Sequence, residues 1–364
     1  MSDNVYIAVH GGAGFHERKY EKEIKHALQR ACNVALSNLG SKHSSALTMV
    51  EDAISSLEDD EHLNAGYGSN LTLDGTVECD AAIMSGKSGC FGSVGAVAGV
   101  KNPIRLARAV LDHSSIPSPI GRIPPLTLVS EGARQFALSQ PSSAHLVSRE
   151  SLVSPQAEER WRVWKCRFAS SDPSSLSGNL NDIQDTVGAV AWHESDGMAA
   201  GVSSGGLLLK YPGRIGEAAV FGAGCWAQEA SDVEQGMEMA CSISGTGEYI
   251  IRAMLARRLG EAFEKGAGNS DGDDPHEVLH GVLNDQFWNM RRGRGEPDPS
   301  VGVLLLTREN DGRARLWCAF TTPTMAIAYV SSKNPKAKAI ILRRPQNITL
   351  GDDKPCIYIT GISL

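Results

Sequence analysis

The residues with the most to offer chemically begin at Asp185-Thr186-Val187-Gly188-Ala189-Val190, where a threonine stands at the mouth of an apolar strand directly after a polar stretch. A threonine hydroxyl attacks a carbonyl poorly unless a base lies beside it. The nearest base open to Thr186 is its own α-amine, which exists only once the bond from Asp185 is broken. With a reference pKa of about 8, that amine would accept a proton near working pH, so one residue supplies both attacking oxygen and base. The alternative is that Thr186 simply opens a strand, where β-branched residues are common.

Three dense glycine and hydroxyl motifs follow: Val202-Ser203-Ser204-Gly205-Gly206, Pro212-Gly213-Arg214-Ile215-Gly216-Glu217, and Ser242-Ile243-Ser244-Gly245-Thr246-Gly247-Glu248. Ser204 is placed to hydrogen-bond the nucleophile's oxygen or amine, although a serine before two glycines also suits a plain turn. Arg214 carries a rigid fork of donors that fits a carboxylate bidentately, against the alternative of a solvated surface arginine. Ser244 and Gly245 stand just before a helix and offer an oxyanion hole from a hydroxyl or backbone N–H groups. An ordinary helix cap, Ser244 with Glu248, is compatible with that reading. His10 has no partner pattern of a Ser/His/Asp triad.

The elements that must position these groups come in blocks. Val5 to Val9 reads as a strand leading into His10-Gly11-Gly12-Ala13-Gly14, and residues 20–39 and 45–57 carry apolar residues at helical spacing. Residues 70–84 and 92–100 read as strands, and 103–112 and 130–138 as helices. Between residues 140 and 184 serines, prolines and charges dominate, with no sustained apolar period, so a flexible linker is expected there. Thr186 to His193 and Met198 to Ser204 form a hairpin around Glu194-Ser195-Asp196-Gly197. Apolar runs at 219–224 and 239–243, helices at 247–265 and 275–290, and strands at 301–306, 314–320 and 325–330 complete the chain. Blocks of strands and helices, rather than βαβ alternation, favour two packed sheets with helices outside.

With 364 residues, 41% hydrophobic and 21% charged, the chain can bury a large core. A net charge of −7 argues against a nucleic-acid-binding surface. The N-terminus shows no basic leader or apolar run of signal-peptide length, and no stretch approaches bilayer-spanning length, so no membrane partner and a cytoplasmic or nuclear location are expected. The eight cysteines lack CxxC or other metal-ligand spacing, which argues against a structural zinc.

Taken in order, these motifs resemble the plant-type asparaginase and isoaspartyl peptidase superfamily of N-terminal-nucleophile hydrolases, and within it most closely the threonine aspartases. The likeness runs through His10-Gly-Gly-Ala-Gly, Asn64-Ala-Gly-Tyr-Gly-Ser-Asn70, Glu78-Cys-Asp80-Ala-Ala-Ile-Met84, Gly121-Arg-Ile-Pro-Pro125, Thr186-Val-Gly-Ala-Val190, the three motifs above and Thr321-Thr322. Asparaginase-type members resemble Gly-Thr-Val-Gly at the cut and Ser-Thr-Gly-Gly after the hairpin. Here Asp185-Thr186 and Ser203-Ser204-Gly205-Gly206 stand instead, and a protease that cuts after aspartate is expected to carry aspartate before its own nucleophile.

The resemblance implies an α+β fold, a four-layer αββα sandwich, made as a precursor and cut between Asp185 and Thr186. Residues 1–185, with the linker at about 140–185, would form the α subunit and one half of the sandwich; residues 186–364 would form the β subunit and the other. It implies catalysis by Thr186 with Ser204, Ser244, Gly245 and Asn64, and substrate binding by Arg214 and Glu217. Glu217 stands where asparaginases hold an aspartate that grips a free α-amine. Protein substrates with a cleavable aspartyl bond, no cofactor, no catalytic metal and pairing of two αβ units into a heterotetramer follow from the same likeness. The acidic loop 57–63 sits where relatives fold carbonyls around a structural monovalent cation, and reads equally as a solvated acidic face. The rival functions are an L-asparaginase or isoaspartyl dipeptidase of small substrates and, more remotely, a binding protein that never matures.

Overall fold

The computed structural model describes residues 4–40, 44–118, 120–140, 145–169, 186–230, 237–266, 274–291, 299–309, 312–345 and 355–364. Its first half supplies β1 (Val5–Gly14), α1 (Glu21–Ser37), α2 (Ala46–Glu58), β2 (Cys79–Ser85), β3 (Phe91–Val97), α3 (Pro103–Ser114), β4 (Thr127–Val129), α4 (Ser130–Leu138) and α5 (Pro155–Ala169). After Thr186 come β5 (Val187–His193), β6 (Gly197–Ser204), β7 (Cys225–Gln228), β8 (Glu238–Gly245), α6 (Gly247–Ala253), α7 (Leu255–Gly266), α8 (Pro275–Gly281), β9 (Val301–Arg308), β10 (Ala314–Phe320), β11 (Thr324–Ser331), β12 (Lys338–Arg343) and β13 (Tyr358–Ser363). Among the described residues no helix is long and apolar enough to cross a membrane.

The strands assemble into an eight-stranded sheet, β12-β11-β1-β5-β6-β2-β3-β4, and a five-stranded sheet, β13-β10-β9-β8-β7. Side chains alternate across each strand, and the two faces bury different material. Val5, Ile7, Val9, Val187 and Ala189 join α1, α2 and α3 in one core. Tyr6, Ala8, Val190, Val202 and Ala240 fill the space between the sheets with Phe320 and Leu304. Met239, Cys241 and Ile243 pack against α6, α7 and α8 on the far side. The result is helices, sheet, sheet, helices: the expected αββα sandwich. Each large side chain removed from water in these cores contributes about 1.5–3 kcal/mol.

Three expectations are corrected. The sheets do not divide at residue 186, because β5 and β6 insert between β1 and β2 while β1 also pairs with β11. The linker is helical over Pro155–Ala169; only Ala157 is buried there, and the helix is pinned by Trp161, whose Nε1 donates to the Thr72 carbonyl at 2.8 Å. Residues 170–185, including Asp185, lie outside the described residues. The helix expected at 247–265 breaks at Met254, which adopts φ 49°. Carbonyls of Gly222 and Ala223 accept from Arg257 and Ala256 there, satisfying N–H groups that open α7.

Candidate active site

The face of the large sheet that looks toward the small one is apolar along most of its length and turns polar at one end. Pairing of β5 with β6 sets Val187 opposite Ser203, and pairing of β2 with β6 sets Asp80 opposite Ser204. Thr186, one residue before β5, therefore meets Ser204, with Asp80 next in line. All three are buried, as is Glu217 in the turn that follows the Arg214 loop.

Thr186 Oγ1 donates to Glu217 Oε1 at 3.0 Å and lies 3.0 Å from Ser204 Oγ. Since the threonine proton is committed to the carboxylate, Ser204 is the donor in the second contact, and Ser204 in turn accepts from the Gly206 N–H at 3.0 Å. The hydrogen bonds thus run in one direction, from a backbone amide through two hydroxyls to a carboxylate. Burial pushes the Glu217 carboxyl up from 4.5 to about 7; nearby Arg214 and the Thr186 hydroxyl oppose the rise.

Arg214 is placed by two glycines. A Cβ at Gly247 would collide with Glu217 Oε2 and lie 2.8 Å from Arg214 Nη2, and one at Gly216 would lie 2.8 Å from Arg214 Nη1. The guanidinium forks onto Glu248, with Nε at 2.9 Å and Nη2 at 2.8 Å from its two oxygens. Asp80 accepts from the N–H groups of Ala96 at 2.8 Å and Gly216 at 2.7 Å, tying the Arg214 loop to the sheet.

Asn64 holds the neighbouring turn: its Nδ2 donates to the Gly206 carbonyl at 2.9 Å and its Oδ1 accepts from Asn70 N at 2.8 Å. Gly245 faces Thr186, and together with Asn64, Ser204, Gly206, Arg214 and Glu217 it lines a recess of about 10 Å³. That is space for roughly one water. Ser244 is one step removed, at the end of β8, with its Oγ accepting from Ala13 N at 3.1 Å. The cap position of α6 is Thr246, so Ser244 is not the helix cap that sequence allowed.

His10 and Asp80 belong to this polar end and are not among the site residues expected from sequence. Burial lowers the His10 pKa to about 3. Its Nε2 lies 2.8 Å from Ser242 Oγ, whose own proton goes to the Gly201 carbonyl at 2.9 Å, so Nε2 carries the hydrogen. The available signal was period two: Asp80 is a lone acid in an otherwise apolar strand, and His10 continues the Tyr6, Ala8 face. Among the described residues no group of three His, Cys, Asp or Glu side chains is arranged to hold a metal ion.

The model of the family described as Asparaginase matches residues 3–281. The isoaspartyl peptidase/L-asparaginase of Xenopus laevis is 35% identical over 329 residues, covering 89% of this chain and 91% of the relative. A plant-type L-asparaginase of Thermococcus kodakarensis is 34% identical, covering 89% and 95%. The isoaspartyl peptidase of Salmonella typhimurium is 35% identical, covering 71% and 79%. The chain belongs to the asparaginase family of N-terminal-nucleophile hydrolases.

Proposed function

We propose that the chain cuts itself between Asp185 and Thr186 and then serves as a threonine endopeptidase that cleaves proteins after aspartate. The observation that carries the reading is the Thr186 hydroxyl held between Ser204 and Glu217 in a recess that Arg214 borders, directly after an aspartate in the sequence. Attack of Oγ on the carbonyl carbon of residue 185 forms an ester as the C–N bond breaks, and water hydrolyses the ester. The freed α-amine, with a pKa of about 8, then acts as base on external substrates. The first bond the site must accept is an aspartyl α-peptide bond. Arg214 is the carboxylate reader, exchanging its Glu248 partner for an aspartate side chain. Gly245, which lines the recess, is the nearer candidate for holding the developing oxyanion, with Ser244 behind it. The two chains stay associated, and two such units pair.

A second reading is favoured by the relatives, whose names are asparaginase and isoaspartyl peptidase: release of aspartate from asparagine or β-linked dipeptides by the same nucleophile. Intact mass after incubation, followed by an aspartate-containing peptide and by free L-asparagine, separates them. Two fragments split at 185/186 with cleavage after aspartate are expected. The same split with only asparagine or isoaspartyl dipeptide consumed gives the second reading, and an uncut, inert chain removes both.

A further inference from the structure

We infer that Glu217 is the base of the self-cutting step, taking the Thr186 hydroxyl proton before the α-amine exists. The inference rests on the reading that the chain matures at residue 186, and it gives Glu217 a task beyond the substrate contact expected from its place in the motif. In the uncut chain the Thr186 nitrogen is an amide and cannot accept a proton, so the precursor needs another base.

Among the described residues, the groups near the hydroxyl can be taken in turn. Ser204 is committed as a donor, because Thr186 spends its own proton on Glu217. Both Asp80 oxygens are taken by backbone amides. His10 gives its Nε2 hydrogen to Ser242, and its open Nδ1 is a poor base because burial lowers the imidazole pKa to about 3. Lys210 Nζ donates to the Glu78 carbonyl at 2.6 Å, and Glu248 is forked by Arg214. Glu217 Oε1 alone receives the proton that must leave, along a line of hydrogen bonds already directed at it.

The step balances without another reactant until water enters. The Thr186 O–H bond breaks and its proton passes to Glu217 Oε1 as Oγ bonds to the carbonyl carbon of residue 185. Collapse of the tetrahedral centre breaks the C–N bond, and Glu217 returns the proton to the departing Thr186 nitrogen. Water then cleaves the ester, leaving a carboxyl on Asp185 and a free hydroxyl on Thr186. Glu217 ends as it began, next to a newly formed amine that it can hold as an ion pair.

Glu217 must be ionised to accept, so maturation should speed up as pH rises through its titration. The charged groups that set that titration are Arg214 from the preceding loop, which favours the carboxylate, and Asp80 from β2, which opposes it; Glu248 from α6 neutralises part of the arginine. With burial, the balance lies at about 7.

The test follows appearance of the two fragments by intact mass, from pH 5 to 9, in wild type, Glu217→Gln and Glu217→Asp, with thermal melting as the check on folding. Wild type should gain rate toward a plateau with a midpoint near 7. Glu217→Gln keeps the shape and a hydrogen bond but no basicity, and should process about 100-fold more slowly or worse with a flat pH profile. Glu217→Asp, which withdraws the carboxylate by one methylene, should fall between and keep the rise with pH, so it decides the matter if the glutamine variant does not fold. A Glu217→Gln chain that matures at the wild-type rate, or a Glu217→Asp chain with no rise, overturns the inference alone. A wild-type chain that never cuts itself overturns the maturation reading with it.

Discussion

Among the described residues two glutamates are buried, and neighbouring serines serve them. Ser203 and Ser204 point to opposite faces of β6 because successive strand residues must. Ser203 donates to Glu58 Oε1 at 2.6 Å on the helix side, and that oxygen also accepts from Ile104 N at 3.0 Å. Burial pushes the Glu58 carboxyl up to about 8, close to the about 7 of Glu217. Yet Glu58 Oε2 has no hydrogen-bond partner among the described residues. Glu217 faces the Thr186 hydroxyl and lies beside a guanidinium. Desolvation alone therefore makes a carboxyl basic in both places, and each accepts from a hydroxyl; Glu217 differs in that it holds Thr186 and lines the recess.

The largest effect that could break this contrast is at Thr186. Thr186→Ala should leave one full-length chain in intact-mass spectra at every pH, because Glu217 then lacks the hydroxyl it would activate; any cut at residue 186 would point to another nucleophile. Arg214→Ala should lower kcat/KM on an aspartyl substrate by roughly 100-fold or more, with Lys restoring only part, since a point charge cannot reproduce the fork. Undiminished turnover would sink the role given to Arg214.

The adjacent serines sharpen the comparison further. Ser204→Ala should slow fragment formation by roughly 10- to 100-fold with little change in melting temperature, while Ser203→Ala should cost about 1–2 kcal/mol in denaturant unfolding and leave the rate alone. If both variants behave alike, the two faces are not separate in function. The smallest effect is at Glu58. In the unfolded chain it ionises near its ordinary value of 4.5 and in the folded chain near 8, so across that window the unfolded state holds fewer protons and stability declines as pH rises. Glu58→Gln should flatten that decline, read as unfolding free energy between pH 5 and 8.

The residues that line this recess were legible because they lie in local motifs: Thr186 after Asp185, Ser204 before two glycines, Arg214 and Glu217 on either side of Gly216. The αββα layering was likewise legible in alternating strands and grouped helices. What sequence could not supply was register. Asp80 and His10 join the site through ladder positions opposite residues more than one hundred positions away. Nor does α5 announce itself, since a lone buried alanine and a tryptophan N–H, rather than an apolar stripe, hold it.

The order of strands in the large sheet has a thermodynamic consequence. Read across from β12, they come two from after residue 186, one from before, two from after and three from before. A nick at 185/186 cannot release either piece without tearing a ladder, so folded protein should run as one species. Unfolding changes character: the uncut chain melts in a reaction of first order in both directions, whereas the cut one dissociates as it melts. The melting temperature of the mature form should accordingly rise with protein concentration while that of an uncleavable variant stays fixed.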